Sequence, residues 1–481
     1  MLGKILTSSV VVAALASGAV AHDAQAVLDK AAKTLGVEGL KTLQYSATGF
    51  DYALGQAPTP ESPWPKFIEK SYTRTIDFDA QTSRVERVRL QGETPPRGGG
   101  GQPINGEQKQ IQTLVVDAKT PWTQQAEILV TPYGFLRAAV ARNATVATRK
   151  IGGESFEVVT FKGVNDVPVN GYINARNELV RVETSIDNPV LGDTLYETRY
   201  SDYKTFGAVK FPAHIVQAQG GYPVLDLSVQ DVKTNQPVRF DAAQDTNSAN
   251  PPARTERLGD GLYLLTGRYS VIVADFKDHL VLFESGQSEE RALAVIDEAK
   301  KLFPGKPIKY VVNTHSHFDH SGGLRAFVAE GSTILTQQLN KSYLEKVLAR
   351  PHTINPDKAQ RLGAKPKVQS VAADGKYVLT DGARVVELYR LEDFTHHDGT
   401  LVAYFPKEKL LFQADAYNPQ ALDAAPPNPP SPYNVSLLDN IQRLKLDVQR
   451  IIPVHYPVDA RVVTVNELNR WIGRSENAAA R

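Results

Sequence analysis

Asn313-Thr314-His315-Ser316-His317-Phe318-Asp319-His320-Ser321-Gly322-Gly323 follows directly on the apolar run 308–312. Four metal-ligand side chains fall within six residues at the end of a predicted strand. In a chain of 481 residues with 10 His and 53 acids, chance produces His-x-His-x-acid-His roughly once in 2,000 such chains. The spacing has a physical use. His315 and His317 are two apart, so an extended backbone points them the same way. The chain then turns into a helix at the glycines, and Asp319 and His320 face a neighbouring position. One loop thus offers imidazoles to one cation and a carboxylate plus imidazole to a second.

The chain has no cysteine. Disulfides, thiolate nucleophiles, zinc fingers and iron–sulfur clusters are therefore excluded, and any metal centre must use His, Asp and Glu. Such ligands suit Zn²⁺, with Fe or Mn as alternatives. Three further segments supply them. Thr395-His396-His397-Asp398-Gly399-Thr400 precedes the apolar run 401–405. Leu410-Leu411-Phe412-Gln413-Ala414-Asp415 is a predicted strand ending in Asp. Ile451-Ile452-Pro453-Val454-His455 is a predicted strand ending in His. Six of the ten histidines cluster in these places; His22, His214, His279 and His352 stand alone.

The order and spacing of these four segments resemble the metallo-β-lactamase-fold hydrolase superfamily, over roughly residues 254–475. The resemblance implies an αββα sandwich. It assigns His315, His317 and His396 to a first metal and Asp319, His320 and His455 to a second, with Asp415 bridging. Asp319 would also orient the nucleophile and shuttle its proton. Counting back from Pro406 favours His396, with His397 kept as the alternative ligand. His397 and Asp398, with Tyr417 and Tyr456, are otherwise placed beside the metals or against substrate, together with the stiff loop 423–433. Two departures stand out. Glu284-Ser285-Gly286 occupies the place of an Asp-x-Gly pair, and the bridging position is Asp415 rather than Cys. The second favours the esterase, thioesterase and phosphodiesterase-type branches.

Outside this region the composition is ordinary. Lys and Arg number 54 against 53 acids, a net charge of +1, which argues against general nucleic-acid binding. Mean hydropathy is −0.29, and the one long apolar stretch lies at the extreme N-terminus, which argues against a multi-span membrane protein. Residues 1–21 read as a signal peptide. Lys4 starts it, an apolar run follows, and Ala19-Val20-Ala21 offers a small-x-small cleavage site. The expected mature chain begins at His22, is exported to a periplasm-like compartment, and has no membrane span.

Asp23 is placed to cap a helix ending at Gly36. From about 40 to 240 the pattern is strand-like: Leu225, Leu227 and Val229 alternate with polar residues, and 171–184 reads as a hairpin. The predicted first domain, 22–240, is a mostly antiparallel β unit and a possible docking surface for a protein partner. Pro95-Pro96-Arg97-Gly98-Gly99-Gly100-Gly101 is expected to be a mobile loop with nothing to pack. Residues 241–253 read as a linker. Residues 254–481, where strands alternate with helices, form the second domain, so the class is α+β.

The expected function is an exported, dinuclear zinc-type metallohydrolase. A hydroxide activated by two divalent ions would attack an ester, lactone or amide-type bond in a small-molecule substrate. Two other readings stand beside it: a mononuclear iron oxygenase on the same fold, and a non-catalytic periplasmic binding protein.

Overall fold

The computed structural model describes residues 23–238, 240, 254–267, 269–371 and 375–474. The predicted signal peptide 1–21 and linker 241–253 lie outside them.

Twelve residues, Ala24–Leu35, form the first helix. Asp23 caps it by accepting the Gln25 amide at 2.9 Å, and Gly36 ends it at φ +71. Leu28, Ala31 and Leu35 are its buried face. They pack on an eleven-stranded antiparallel sheet built from residues 42–234. The sheet starts as one meander from Thr42–Tyr52 to Gln108–Val115 and continues as another from Thr145–Ile151 to Tyr222–Thr234. The first and last of these strands pair with each other, so the two meanders become one surface. Strand Tyr222–Thr234 buries Leu225, Leu227 and Val229 and leaves Ser228 and Gln230 outward, as a two-residue period requires. Helices Trp122–Leu129 and Pro132–Ala141 share this core.

The second half contains two sheets. One has seven strands from Arg254–Gly259 to Lys367–Val371, antiparallel for the first four and parallel thereafter. The other has five strands from Lys376–Thr380 to Arg450–Pro453. Their inner faces meet through Leu264, Ile272, Phe283 and Val312 on one side and Leu388, Phe405, Phe412 and Ile452 on the other. Helices Glu289–Leu302 and Gln338–Leu348 cover the outside of the seven-stranded sheet. Helices Pro432–Arg443 and Val465–Trp471 cover the five-stranded one. The order of layers is α, β, β, α, and the whole is of the α+β class. Both sheets are buried on two faces, so strands such as Leu401–Phe405 read as unbroken apolar runs.

No helix among the described residues is long and apolar enough to cross a membrane.

Candidate metal centre

Four strands deliver the candidate ligands to one rim of the sandwich. Ile308–Val312 ends just before His315, Leu410–Gln413 just before Asp415, and Arg450–Pro453 just before His455. The last two run parallel, so their C-terminal ends coincide. Leu401–Phe405 runs antiparallel to Leu410–Gln413, which brings its preceding loop, with His396, to the same rim. The Leu401 amide bonds the Thr314 carbonyl at 2.8 Å and ties the two sheets together there.

The His315–His320 loop is held rigidly from beneath. Asn313 Nδ2 donates to the carbonyls of His315 at 2.7 Å and His320 at 3.1 Å, and Ser285 Oγ donates to the latter at 3.0 Å. The fully buried Glu284 accepts the Thr314 amide at 3.0 Å and the Thr314 hydroxyl, and its other oxygen lies 3.4 Å from His320 Nδ1. The longer carboxylate noted in the sequence therefore still reaches the underside of the loop. Glu284 sits at φ +80, a left-handed conformation that costs a non-glycine residue energy. At Gly322 a Cβ would overlap the Gln287 carbonyl, so the loop can approach this closely only with glycine.

The ligand atoms fall into two groups that share one residue: His315, His317, His396 and Asp415, and Asp319, His320, Asp415 and His455. Within each group the atoms lie within 4.8 Å of one another. Asp415 Oδ2 is 2.9 Å from His320 Nε2, 3.1 Å from His396 Nε2 and 3.5 Å from His315 Nε2. Its Oδ1 is 2.9 Å from His455 Nε2. The first group is fully buried; Asp319 and His455 are 25% and 30% exposed at their side chains and open the second to solvent.

Protonation follows the surroundings. Burial pushes His315 well below the usual imidazole range, with His320 and His317 adding to the effect. Burial and the neighbouring His396 push His317 down to about 3. Burial alone would also lower His320, but Asp319, Asp415 and Glu284 outweigh it and hold His320 well above the usual range. Burial would raise Asp415, yet His320 and His455 keep it well below.

These residues fit a cation. His315 Nε2, His317 Nδ1 and both nitrogens of His396 are buried without a hydrogen-bond partner. Such orphaned polar atoms are costly unless something else satisfies them. The opposite ring nitrogens are engaged: His317 Nε2 lies 2.8 Å from the Ala57 carbonyl, and His315 Nδ1 lies 3.1 Å from Thr314 Oγ1. This sets the tautomers so that the free lone pairs point inward.

His397 is differently placed. Its Nδ1 accepts the Gly399 amide at 3.0 Å, and its Nε2 pairs with Ser316 Oγ at 2.8 Å. It braces the loop, and His396 is the one of the pair that joins the cluster. The Asp398 amide donates to the Pro58 carbonyl at 2.9 Å, and its carboxylate faces Arg97 at 3.7 Å.

Two expectations are corrected. Tyr417 is no substrate wall: it is 1% exposed, packs among Phe394, Tyr433 and Leu437, and donates to Glu467 at 2.9 Å. The chain turns at Asp415 (φ +58) and Gln413 clamps the backbone of 416 and 417, which sends the ring into the outer helical layer. Tyr456 accepts from Arg450 at 3.0 Å, and Arg450 in turn pairs with Glu256. The loop 95–101 is not loose either. The Gly98 amide bonds Thr395, the Gly99 amide bonds Gln56, Tyr433 donates to the Gly98 carbonyl at 2.9 Å, and Gly101 O accepts from Asn418 Nδ2 at 3.2 Å. Its glycines are what let it lie flat: at Gly101 a Cβ would overlap the Asn418 amide and stand 2.8 Å from Asp415 Oδ1.

Residues outside the proposed ligand set also border the site. Tyr269 OH donates to Asp319 Oδ2 at 3.2 Å, and its ring lies edge-on to His455. Tyr433 packs edge-on to His396. Asn418 donates to Asp415 Oδ1 at 3.3 Å, and Gln56 donates to Asp319 Oδ1 at 2.7 Å. Gln56 and Tyr269 lie far along the chain from Asp319, which hides them from any local motif, whereas Asn418 is three residues from Asp415 and Tyr433 ends the loop 423–433.

Residues 265–455 match the family described as the Metallo-beta-lactamase superfamily. Two curated proteins are similar over shorter stretches. The 2,4-dinitroanisole O-demethylase subunit alpha of Nocardioides sp. (strain JS1661) is 30% identical over 113 residues, 24% of this chain and 30% of that protein. The linear primary-alkylsulfatase of a Pseudomonas sp. is 28% identical over 190 residues, 37% of this chain and 26% of that protein. The chain thus spans under a third of the length of either relative. Among solved structures, the metallo-beta-lactamase from Pontibacter korlensis aligns with TM-score 0.35 and 18% identity, over 47% of this chain and 99% of that one. FIM-1 from Pseudomonas aeruginosa, in its mono-zinc form, aligns with TM-score 0.35 and 15% identity, over 48% and 98%.

Proposed function

Residues 265–455 match the Metallo-beta-lactamase superfamily, and from that premise we propose that the protein is a dinuclear metallohydrolase acting on an ester, lactone or amide-type bond of a small molecule. The observation that carries this is the set of buried imidazole nitrogens, unpartnered in the protein, gathered around the shared carboxylate of Asp415. His315, His317 and His396 would hold one divalent cation, Asp319, His320 and His455 the other, and Asp415 both; zinc suits this donor set. Two such cations supply Lewis acidity and bring the pKa of water toward neutrality.

The chain's own residues set the direction of attack. Substrate approaches from the side of Asp319 and His455, the two exposed members. Asp319 is held at one oxygen by Gln56 and at the other by Tyr269. So fixed, it would orient the attacking water and accept its proton. Arg97 and Asp398, both partly exposed, face each other across the adjoining loops.

Export belongs to this reading, supported by Lys4, the apolar run behind it and Ala19-Val20-Ala21. An exported, periplasmic chain that begins at His22 is the expected product.

The decisive experiment joins elemental analysis to a substrate panel. The panel holds carboxylic esters, lactones, β-lactams and phosphodiesters. Primary alkyl sulfates and aryl methyl ethers join it because of the two curated relatives. We expect two equivalents of Zn or Mn per chain, and turnover lost on chelation and regained on adding metal. A chain carrying one Fe, or one that turns over substrate after exhaustive chelation, overturns the reading.

A further inference from the structure

Two of the contacts that set the candidate ligands come from one short loop of the N-terminal sheet. Strand Thr42–Tyr52 leaves the sheet into residues 53–65, whose base is closed by the Ala53 amide on the Pro65 carbonyl at 2.9 Å. The loop is seated against the rim of the sandwich. The Phe318 amide faces the Gly55 carbonyl at 3.3 Å, and the Phe318 ring meets Trp64 edge-on at 5.9 Å. From this seat the Ala57 carbonyl accepts His317 Nε2 at 2.8 Å, and Gln56 Nε2 donates to Asp319 Oδ1 at 2.7 Å. His317 and Asp319 belong to different ligand groups. Adjacent residues thus orient one ligand of each cation.

We propose that Gln56 and the Ala57 carbonyl are positioning groups of the metal centre, supplied by the N-terminal unit and acting through Asp319 and His317. An imidazole whose Nε2–H is given to a carbonyl keeps its lone pair on Nδ1. That is the nitrogen of His317 left buried and unpartnered. Gln56 occupies Asp319 Oδ1, so Asp319 offers a cation Oδ2, an oxygen with two lone pairs of which the Tyr269 hydroxyl takes one. Outer contacts of this kind typically change metal affinity 10- to 100-fold when removed. Gln56 is the member that a substitution can remove, and it touches the second ligand group alone. The inference rests on the two-cation reading of the site.

The test uses the full-length protein with Co²⁺ and Zn²⁺ alone as probes. Site affinities come from chelator competition, and ligand geometry from the visible absorption of the Co²⁺ form. Gln56→Met keeps the side-chain length and removes the donor. It should weaken the second cation about tenfold or more, change the Co²⁺ spectrum of that site, and leave the first cation within about twofold. Gln56→Asn retracts the amide by one methylene and should act in the same direction. It takes over the test if Gln56→Met does not fold. Unchanged affinities in a wild-type background that binds two cations overturn the inference alone. Equal weakening of both sites also overturns it, because that signals only an unseated loop. A wild-type chain that takes up no cation overturns the two-cation reading, and the inference falls with it.

Discussion

Ser316 Oγ and His397 Nε2 lie 2.8 Å apart in the buried rim, with His397 Nδ1 already bonded to the Gly399 amide. Both ring nitrogens of His397 are committed to the loop, whereas those of its neighbour His396 make no hydrogen bond and Nε2 faces Asp415 Oδ2 at 3.1 Å. Substituting the two histidines should therefore have different consequences. His396→Ala should lose one cation of two; His397→Ala should keep both and lose only thermal stability. Metal content after gel filtration checks this, and equal loss from both variants contradicts it.

Asp415 is common to both ligand groups, and four imidazoles approach it within 3.5 Å. Asp415→Ala should reduce bound metal below one equivalent and abolish turnover, a heavier loss than any single His→Ala at the rim. A variant that retains two equivalents removes Asp415 from the centre.

Gly101→Ala tests the glycine loop. The added methyl must push aside the Asn418 amide and approaches Asp415. Metal content should stay at the wild-type level, while kcat/KM on the best panel substrate falls about tenfold or more, since small displacements near reacting groups are costly. Unaltered turnover would show that the loop merely lies nearby.

Glu69 gives a pH dependence separate from the metal centre. Burial raises its carboxyl to about 7, with Arg87 opposing and Asp51 assisting. The folded protein therefore holds this proton more tightly than the unfolded chain, whose value is 4.5. Its contribution to stability is complete below 4.5 and is lost as pH rises through about 7. Urea midpoints measured between about pH 5 and pH 8 should show this loss, and Glu69→Gln should remove that part of the slope. An identical pH profile for variant and wild type contradicts the assignment.

Phe283 is fully buried between the two sheets, edge-on to Phe405 at 5.1 Å and Phe412 at 6.3 Å. Phe283→Ala should cost about 3–5 kcal/mol, read from denaturant midpoints, by removing contacts that the close-packed layers cannot rebuild.

The sandwich half was legible because its signals are local. Apolar runs ending in His or Asp place strand and ligand together; in the N-terminal unit, too, the hydrophobic periods of 225–229 and 24–35 are matched by their burial. His396 and His397 were not separable in sequence, because the choice depends on the Gly399 amide and on Ser316, 81 residues away. The glycine loop was misread for a related reason. Lack of side chains suggested nothing to pack, but its bonds are made by backbone to Thr395, Gln56, Tyr433 and Asn418, partners that composition does not reveal. Tyr417 misled by adjacency: its position two residues after Asp415 says nothing of the turn that takes its ring the other way.

The bond from His317 to Ala57 bears on how this chain can be cut. Expressing the C-terminal portion alone would preserve every histidine and aspartate named for the cations. It would nonetheless discard the oxygen that faces one ring nitrogen of His317 and leaves the other to a cation, and the amide that steadies one carboxylate. A fragment with a full inventory of donors is thus a different chemical object from the intact polypeptide. Minimal versions of this protein should be drawn around contacts, not around the matched segment.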